Sequence, residues 1–446
     1  MSNDIRIKKG LNIKLKGEAE RLLSEAPRSK VFSINPSNFH AVTPKMVVKQ
    51  GDVVKAGEPI FFSKNVPSVK FVAPVSGKIK EIRRGAKRVI LDVLIEADAA
   101  DTFVEHGVKS PSSLSGDEVK QLLLDSGCWP FIKQRPYDVV ANPADSPKAI
   151  FISAFDSAPL AADVTFALKD KEAAFQAGVD ALAKLTTGKV HLSVESGASS
   201  YFNKINGVTL HNVSGVHPAG NVGVQIHHID PINAGERVWV VGPQDVVAIG
   251  NLFLTGKFDA SRVIAVAGTS VEAPKYYATT IGSAVADILG TIPEGARIIS
   301  GNVLTGDNVT ADGFLGFYDS EITAIPEGNN YRLFGWMPFK DNYIHSYAKT
   351  SFAWMSGKKF EATTNMNGEE RALVVTGEME KVMPMDVYPM QLLKACLAGD
   401  LEKMENLGIY EVAPEDFALV DYVCTSKIEA QAIIREGLDV MIKEVG

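Results

Sequence analysis

The chain has 446 residues, 46% of them hydrophobic and 22% charged, and this length predicts about three or four domains of a soluble protein. No apolar run approaches the roughly 18 residues that a membrane helix needs, and the N-terminal residues lack the apolar core of a signal peptide. Three widely spaced cysteines favour a reducing compartment without a disulfide framework.

The net charge of −7 is unevenly distributed along the chain. Residues 1–95 contain 19 Lys and Arg against 8 Asp and Glu, whereas the remaining residues contain 27 against 45. Such a gradient favours docking of the basic end on an anionic surface, either phospholipid headgroups or a partner protein, but lysines that only confer solubility would give the same count. Nucleic acid is not an expected partner, because the basic residues are not interleaved with aromatic ones.

Residues 1–100 are predicted to form a barrel-sandwich hybrid of the biotinyl/lipoyl type. Gly51-Asp52 and Gly57-Glu58 predict tight turns between short Val- and Ile-rich strands, and residues 73–79 supply the return strand. Carrier domains of this type bear their cofactor on a lysine at a hairpin tip, where this chain has Ser63-Lys64-Asn65-Val66-Pro67-Ser68. Pro67 and the loss of the flanking pattern make Lys64 a poor substrate for a ligase, so neither biotin nor lipoyl is expected.

Residues 101–258 are predicted to form a Rossmann-like α/β domain with a doubly wound parallel sheet. Ser115 and Glu118 stand at capping-box spacing before a helix that ends near Gly127. The predicted elements that follow are a strand at 149–153, a helix at about 171–185, a strand at 189–194 and a helix at 244–255.

The last two predicted domains differ in pattern. Short strands joined by one helix predict a ubiquitin-like β-grasp domain in residues 259–329. Residues 330–446 predict a strand-rich, aromatic connection to about residue 382 and then a helical C-terminal domain. The helical part has predicted turns at Gly399-Asp400, Gly408 and Pro414.

The sequence lacks the usual nucleotide-binding loops. The stretch from Gly250 to Phe258 resembles a P-loop, but its glycine spacing is one residue too long, and Phe258 replaces the Ser or Thr that holds magnesium. No G-x-G-x-x-G follows a predicted strand, and no G-x-S-x-G elbow is present.

The histidines do not predict a metal site. His211, His217, His227 and His228 match no zinc spacing, so we assign them structural or surface roles and expect no metal. The sequence His217-Pro218-Ala219-Gly220 is typical of a constrained turn, because Pro fixes one dihedral angle and Gly permits the next.

The order of the domains and several scattered motifs carry a family resemblance. The motifs are IKKGL at 7–11, VKFVAP at 69–74, RGAKRV at 84–89, HPAG at 217–220, FLTG at 253–256, RIISG at 297–301, VLTG at 303–306 and LFGW at 333–336. In these features the chain resembles the A subunits of the sodium-translocating NADH:quinone oxidoreductases over essentially its whole length. The resemblance implies that the β-grasp domain is of the SLBB type and that the helical tail is ferredoxin-like.

Two relatives of that family indicate what this chain has lost, namely the C subunit of Rnf complexes and the flavin-bearing subunit of respiratory complex I. Where they have a glycine-rich loop, this chain has DSGCWPFIKQR at 125–135, whose bulky residues would fill the space of a phosphate. The two four-cysteine runs of the Rnf relatives are replaced by VMPM at 382–385 and YVCTSKI at 422–428. The resemblance therefore implies no flavin and no iron–sulfur cluster, and Cys424 is expected to be a buried apolar residue.

The resemblance also implies a location and partners. The chain is expected to be a peripheral subunit on the cytoplasmic face of the bacterial inner membrane. Its expected partners are the other proteins of the six-subunit pump, especially the membrane-embedded B subunit, and quinone. The complex is a translocase that oxidises NADH, reduces quinone to quinol and exports Na⁺, whereas the isolated chain is not expected to be catalytic.

A quinone site is predicted at the switch point of the parallel sheet, where such folds bind ligands. Trp129, Phe131 and Tyr137 are candidates to stack on the quinone ring, and Gln134 and Arg135 are candidates to hydrogen-bond its carbonyls. Alternatively, these residues only fill the former flavin pocket. Two other hypotheses are a cofactor-free structural scaffold and a soluble NADH dehydrogenase that holds flavin through an unrecognised loop.

Overall fold

The computed structural model describes residues 3–328, 347 and 357–446. The β-strands of these residues are β1 Asn3–Ile7, β2 Glu20–Glu25, β3 Val31–Ile34, β4 Pro44–Met46, β5 Val53–Val54, β6 Pro59–Ser63, β7 Lys70–Val72, β8 Gly77–Arg84, β9 Ile90–Ala97, β10 Ile132–Arg135, β11 Val139–Val140, β12 Ala149–Ser153, β13 Lys189–Glu195, β14 Thr209–Gly215, β15 Val238–Val241, β16 Ser261–Ala267, β17 Lys275–Thr280, β18 Ala296–Ser300, β19 Asp307–Val309 and β20 Glu321–Pro326.

The α-helices of the same residues are α1 Gly116–Ser126, α2 Val164–Ala167, α3 Glu172–Leu182, α4 Val222–Ile229, α5 Pro243–Thr255, α6 Val285–Leu289, α7 Met379–Val382, α8 Pro389–Ala398, α9 Leu401–Asn406, α10 Ala418–Val423 and α11 Ala430–Glu444. Among the described residues, no helix combines the length and apolar character needed to cross a lipid bilayer.

The N-terminal barrel consists of a four-stranded sheet of order β3-β9-β8-β5 and a three-stranded sheet of order β4-β6-β7. Phe61 and Phe71 stack in its core with ring centroids 4.6 Å apart. The predicted turns are confirmed, since Gly51 and Gly57 have φ angles of 95° and 83°, which favour glycine. The return strand begins at Gly77 and not at residue 73, because Pro74 has no amide to donate to a strand ladder.

The first two strands pair outside the barrel. β1 pairs in parallel with β14 of the α/β sheet, from Asn3 opposite His211 to Ile7 opposite Gly215. β2 pairs in parallel with β17 of the β-grasp sheet. The N-terminal segment therefore contributes strands to two other sheets before it enters the barrel.

The sheet of the α/β domain has the order β1-β14-β13-β12-β15-β10-β11. The strands from β1 to β15 in this order are parallel, and β10 and β11 extend one edge in antiparallel fashion. Ile150 and Ile152 join the core that contains α3 and α5, whereas Phe151 packs with Ile226 of α4, so helices cover both faces. The chain order reverses between β12 and β15, which makes this point the topological switch of the sheet.

The predicted boundaries of α1 are confirmed by its capping. The Ser115 side chain accepts a hydrogen bond from the Glu118 amide, and the Glu118 carboxylate accepts one from the Ser115 amide, which completes a capping box. Gly127 ends the helix with a φ of 77°.

Two glycines allow α3 and α5 to pack closely. A Cβ atom on Gly178 of α3 would lie 2.1 Å from the carbonyl oxygen of Val246, and one on Gly250 of α5 would lie 1.7 Å from that of Ala174. Gly256 ends α5 with a φ of 72°. The glycines of the stretch that resembles a P-loop are therefore explained by helix packing and helix termination.

The β-grasp sheet has the order β19-β18-β20-β16-β17-β2. Val285 and Ile288 of α6 pack on its core, which includes Ile264 and Ile322. This arrangement of strands around one short helix agrees with the predicted β-grasp pattern.

The C-terminal helices α7 to α11 share one hydrophobic core. Cys424 is 2% exposed within it, which confirms the prediction of a buried apolar residue, and Cys396 of α8 is half-buried. Gly399 ends α8, and Pro414 begins a short 3-10 turn before α10. Most of the segment predicted to be strand-rich lies outside the described residues, and the described residues 357–378 form only an isolated bridge between Leu15 and Phe360.

Replacing Gly250 by Ala is expected to lower the free energy of unfolding by about 1–3 kcal/mol, because the added methyl group overlaps the Ala174 carbonyl and forces the helices apart. Urea denaturation followed by circular dichroism measures this loss. The control is Leu254→Ala on the exposed side of the same helix, which should change stability by no more than about 0.5 kcal/mol. Equal losses in the two variants would contradict the close-packing argument.

Candidate functional site

A cavity of about 290 Å³ lies at the switch point of the α/β sheet. Ser153 at the end of β12, Phe155 just after it and Gly242 just after β15 line the cavity. Tyr318 of the β-grasp domain and Glu415 of the C-terminal domain line it as well. The crevice predicted from the fold is therefore present, and three domains contribute to its walls.

The turn at residues 217–220 forms one wall, and the prediction of a constrained turn is confirmed. The His217–Pro218 peptide bond is cis. The Ser157 hydroxyl accepts a hydrogen bond from the Gly220 amide at 2.7 Å and lies 3.0 Å from His217 Nδ1. Burial lowers the pKa of His217 to about 4, so the ring is neutral at physiological pH and this wall carries no charge.

Lys133 and Arg262 reach the cavity already paired with carboxylates. Lys133 Nζ lies 3.0 Å from Asp138 Oδ1, and Arg262 Nη2 forms an ion pair with Asp245. Arg262 Nη1 is buried and has no hydrogen-bond partner among the described residues. The positive charge at the cavity wall is therefore compensated, and the Arg262 guanidinium also lies 5.3 Å from the Phe131 ring centroid.

Arg135 of β10 joins the α/β domain to the C-terminal domain. Its side chain is 2% exposed, its Nη1 atom donates to Asp416 Oδ2 at 2.9 Å, and its Nη2 atom pairs with Glu415. One guanidinium thus faces two carboxylates. Burial raises the pKa of Glu415 to about 7, and the charge of Asp416 adds to this rise while Arg135 opposes it.

Family models match three parts of the chain. They are described as the NqrA N-terminal barrel-sandwich hybrid domain at residues 5–98, the NqrA second alpha/beta domain at 114–258 and the NQRA C-terminal domain, of the SLBB type, at 263–311. Relatives named as the A subunit of Na(+)-translocating NADH-quinone reductase match over nearly the full length. The relative from Neisseria meningitidis serogroup A is 37% identical over 447 residues, which cover 99% of this chain and 100% of the relative.

Two further relatives with the same name give similar values. That of Yersinia pestis bv. Antiqua is 38% identical over 97% of this chain and 98% of its own length, and that of Marinomonas sp. is 38% identical over 98% and 99%. The chain belongs to the NqrA family. A solved NAD⁺-reducing [NiFe]-hydrogenase is 13% identical over 77% of this chain and 67% of its own, with a TM-score of 0.39, which is too low to carry a functional comparison.

The family matches confirm the predicted barrel-sandwich hybrid and the SLBB domain. They also confirm the α/β nature of the second domain. Its Rossmann-like character and the ferredoxin-like character of the tail stay predictions.

Three of the five candidate quinone residues lie in hydrophobic cores, Trp129 and Phe131 in the core that contains α3 and α5 and Tyr137 in that of the C-terminal helices. Trp129 Nε1 donates to the Ala141 carbonyl at 2.7 Å, and its ring packs edge-on against Trp239. Phe131 stacks between Phe258 and Phe317 at centroid distances of 5.7 and 5.1 Å. Neither side chain is more than 1% exposed, and neither lines the switch-point cavity.

Of Gln134, Arg135 and Tyr137, only Arg135 lines the cavity. Gln134 Oε1 accepts a hydrogen bond from the Asn142 amide at 3.0 Å, and the Tyr137 ring packs against Tyr410. The alternation of a β-strand explains this difference, since Lys133 and Arg135 of β10 share the face towards the cavity and Gln134 points the other way.

Sequence reasoning missed Lys133, Arg262, Asp245 and Glu415 as lining residues. The Arg135–Glu415 and Arg262–Asp245 pairs join different elements, so no local spacing predicts them. Lys133 differs, because its partner Asp138 is only five residues away. The sequence Pro414-Glu415-Asp416 could have predicted a helix start with carboxylates in its first turn, since such carboxylates cap the free amides. In the structure Asp416 accepts a hydrogen bond from the Ala413 amide at 2.9 Å.

Of the histidines noted in the sequence, His217 belongs to the cavity wall, whereas His211, His227 and His228 lie away from it. His211 Nε2 lies 2.8 Å from His191 Nδ1, His227 Nδ1 lies 2.7 Å from Glu411, and His228 Nδ1 lies 2.8 Å from the Val224 carbonyl. Lys64 is exposed in the loop between β6 and β7. Within the described part of the chain, no group of three or more His, Cys, Asp or Glu residues is placed to hold a metal ion.

Replacing Arg135 by Met should lower the free energy of unfolding by about 3–5 kcal/mol, because the buried Asp416 carboxylate loses its cationic partner. Chemical denaturation measures this loss. The control Lys359→Met removes an exposed pair with Glu18 and should cost less than about 1 kcal/mol. A loss below about 1 kcal/mol in both variants would show that the Arg135 pair does not join the domains energetically.

Glu415 is expected to make the stability of the protein decrease with rising pH. Its pKa of about 7 lies above the ordinary value of 4.5, so between these values the native state holds a proton that the unfolded chain releases. The free energy of unfolding therefore falls as the pH rises through this window. Glu415→Gln should reduce that fall but not abolish it, because burial also raises the pKa values of Asp319 and Asp421 to about 6. Denaturation across a pH series would measure the difference, and an identical pH profile in the variant contradicts the assignment.

Proposed function

We propose that this chain docks at the cytoplasmic face on the membrane subunits of a Na⁺-translocating NADH:quinone reductase and binds the quinone in its switch-point cavity. Membership of the NqrA family supports the first part. The observation that carries the second part is a cavity whose cations are all paired but whose Arg262 Nη1 atom has no hydrogen-bond partner among the described residues.

The paired charges disfavour a phosphate-bearing ligand. The N-terminus of a helix binds phosphate through its free amides, but the Asp245 carboxylate already lies over the first turn of α5, where a Cβ atom on Gly242 would come within 2.7 Å of its Oδ2 atom. A flavin or nucleotide phosphate would have to displace this carboxylate and would also meet Asp138. The cavity is therefore suited to a neutral ligand.

A quinone ring has the complementary properties. Its carbonyl oxygens accept hydrogen bonds, and a small rotation of the Arg262 side chain would turn its unpartnered, buried Nη1 atom towards one of them. Phe155, Val240 and Leu304 provide apolar surface. The volume of about 290 Å³ is near the lower end of ligand pockets, which span about 300–1,000 Å³. This volume suits a quinone headgroup whose isoprenoid tail remains outside.

The proposed site binds the acceptor but supplies no electrons. We expect no flavin, iron–sulfur cluster, biotin or lipoyl group on this chain, so the electrons from NADH reach the quinone through other subunits. Glu415 lines the cavity, and its pKa of about 7 suits a group that delivers a proton to the reduced quinone. The chain then acts as part of a translocase and is not catalytic alone.

A structural scaffold without a ligand is the second candidate function. The burial of Trp129 and Phe131 favours it, because aromatic side chains fill the region that would otherwise be available to a ligand. Both functions share docking on the membrane subunits, especially the B subunit. They differ only in whether the cavity binds quinone.

Isothermal titration of the purified chain with a water-soluble short-chain quinone should give saturable heat. Arg262→Lys keeps a cation beside Asp245 but loses the Nη1 donor, so the affinity should fall about tenfold, the value of one hydrogen bond to a charged group. Flavin mononucleotide should give no saturable heat.

Matched tryptophan variants test the location. Ala158→Trp places an indole in the cavity and should abolish quinone binding, whereas Ser199→Trp on an exposed loop should leave it unchanged. If titration of the unmodified chain with the quinone gives no saturable heat, the quinone function is excluded and the scaffold function remains. Saturable flavin binding that Ala158→Trp blocks would instead support a flavin-dependent NADH dehydrogenase.

A further inference from the structure

The hairpin formed by β8 and β9 carries cations without acidic partners. Its tip, which we define as residues 83–91, includes Arg84, Lys87 and Arg88, and Lys78 and Lys80 lie along β8 below it. None of these five side chains forms an ion pair with any described residue. Arg83 differs, because Glu81 and Asp92 lie 3.7 and 4.0 Å from it. The hairpin tip is thus a part of the basic barrel where positive charge is little compensated.

The backbone of the hairpin tip presents these cations at an energetic cost. Lys87 and Arg88 have φ angles of 52° and 63°, in the left-handed region where glycine or asparagine would be less strained. The Gly85 amide donates to the Val89 carbonyl at 2.8 Å and closes the loop between them. Two long basic side chains at strained positions indicate a function for the charges, since the fold alone would favour smaller residues there.

Apolar side chains are exposed next to the cations. Val89 is 58% exposed and Leu91 is 46% exposed, and their spacing of two residues places them on the same face of the hairpin. Leu91 lies across Gly85, where a Cβ atom would come within 3.2 Å of Leu91 Cδ1. The hairpin tip therefore combines an exposed valine and leucine with exposed lysine and arginine side chains.

We propose that the hairpin tip binds the anionic phospholipid headgroups of the membrane that surrounds the pump. The proposal rests on the docking function proposed above and names the surface that its basic domain meets. A convex tip with apolar residues between cations suits a lipid interface, where the apolar side chains enter the headgroup layer and the long basic side chains reach phosphates.

Flotation of the full chain with lipid vesicles tests this proposal. At low salt the chain should float with vesicles that contain phosphatidylglycerol, remain free with pure phosphatidylcholine, and dissociate as the salt concentration rises. The variant Lys87→Glu/Arg88→Glu should weaken the partition into anionic vesicles about thirtyfold or more, since two attractive charges become repulsive. Val89→Ser/Leu91→Ser should weaken it about tenfold at unchanged net charge.

A second double reversal provides the matched control. Lys55→Glu/Lys64→Glu changes the net charge equally, but Lys55 follows β5 at the base of the hairpin, and Lys64 lies in the β6–β7 loop. It should change the partition by less than about threefold. Equal losses in the two charge reversals, or equal binding to neutral and anionic vesicles, would overturn the assignment to the tip.

Assembly with the membrane subunits in detergent separates this proposal from the proposed docking function. The tip reversal should leave that assembly intact, because contacts between the proteins do not involve lipid. If the unmodified chain does not float with anionic vesicles and the tip reversal abolishes assembly, the tip binds an acidic protein surface and not lipid. That result would overturn the proposal. Failure of the unmodified chain to assemble at all would instead remove the docking function.

Discussion

The ion pairs that the buried Arg135 forms with Asp416 and with the partly exposed Glu415 are the constraint on which the cavity depends. They join β10 of the α/β domain to the C-terminal helices, and Glu415 itself lines the cavity. A guanidinium that is 2% exposed must stay paired, because an isolated buried charge is too costly to keep. The surrounding backbone is adapted to the pair, since a Cβ atom on Gly223 would lie 2.5 Å from Asp416 Oδ2.

Paired charges also line the crevice at the switch point of the sheet. The sheet topology leaves a gap between diverging connections after β12 and β15, whatever residues line it. What selects the ligand is the lining, and here Asp245 takes the place at the start of α5 that a phosphate would need. Asp138 adds a second carboxylate to the same lining.

The sequence predicted features that depend on nearby residues. The capping box of α1, the buried strand β12 and the turn at His217 are each specified within a few positions, and the structure confirms them. It did not predict the partner of β1 or the ion pairs of Arg135, because these join distant parts of the chain. It identified Trp129 and Phe131 as aromatic and bulky, but only the packing determines that they face the core.

The N-terminal segment runs from the α/β sheet beside the cavity to the barrel. After β1 has joined the α/β sheet, the Leu11 amide donates to the His217 carbonyl at 2.9 Å, and a Cβ atom on Gly10 would lie 2.0 Å from the same oxygen. His217 belongs to the cavity wall, and the same segment continues through β2 into the barrel. Between Leu11 and the barrel, β2 pairs with β17, so a displacement of the barrel reaches the cavity wall only after it has broken this pairing or moved the β-grasp sheet. The β2–β17 ladder therefore separates movements of the barrel from the wall at His217, which the Leu11 hydrogen bond and the close packing at Gly10 hold in place.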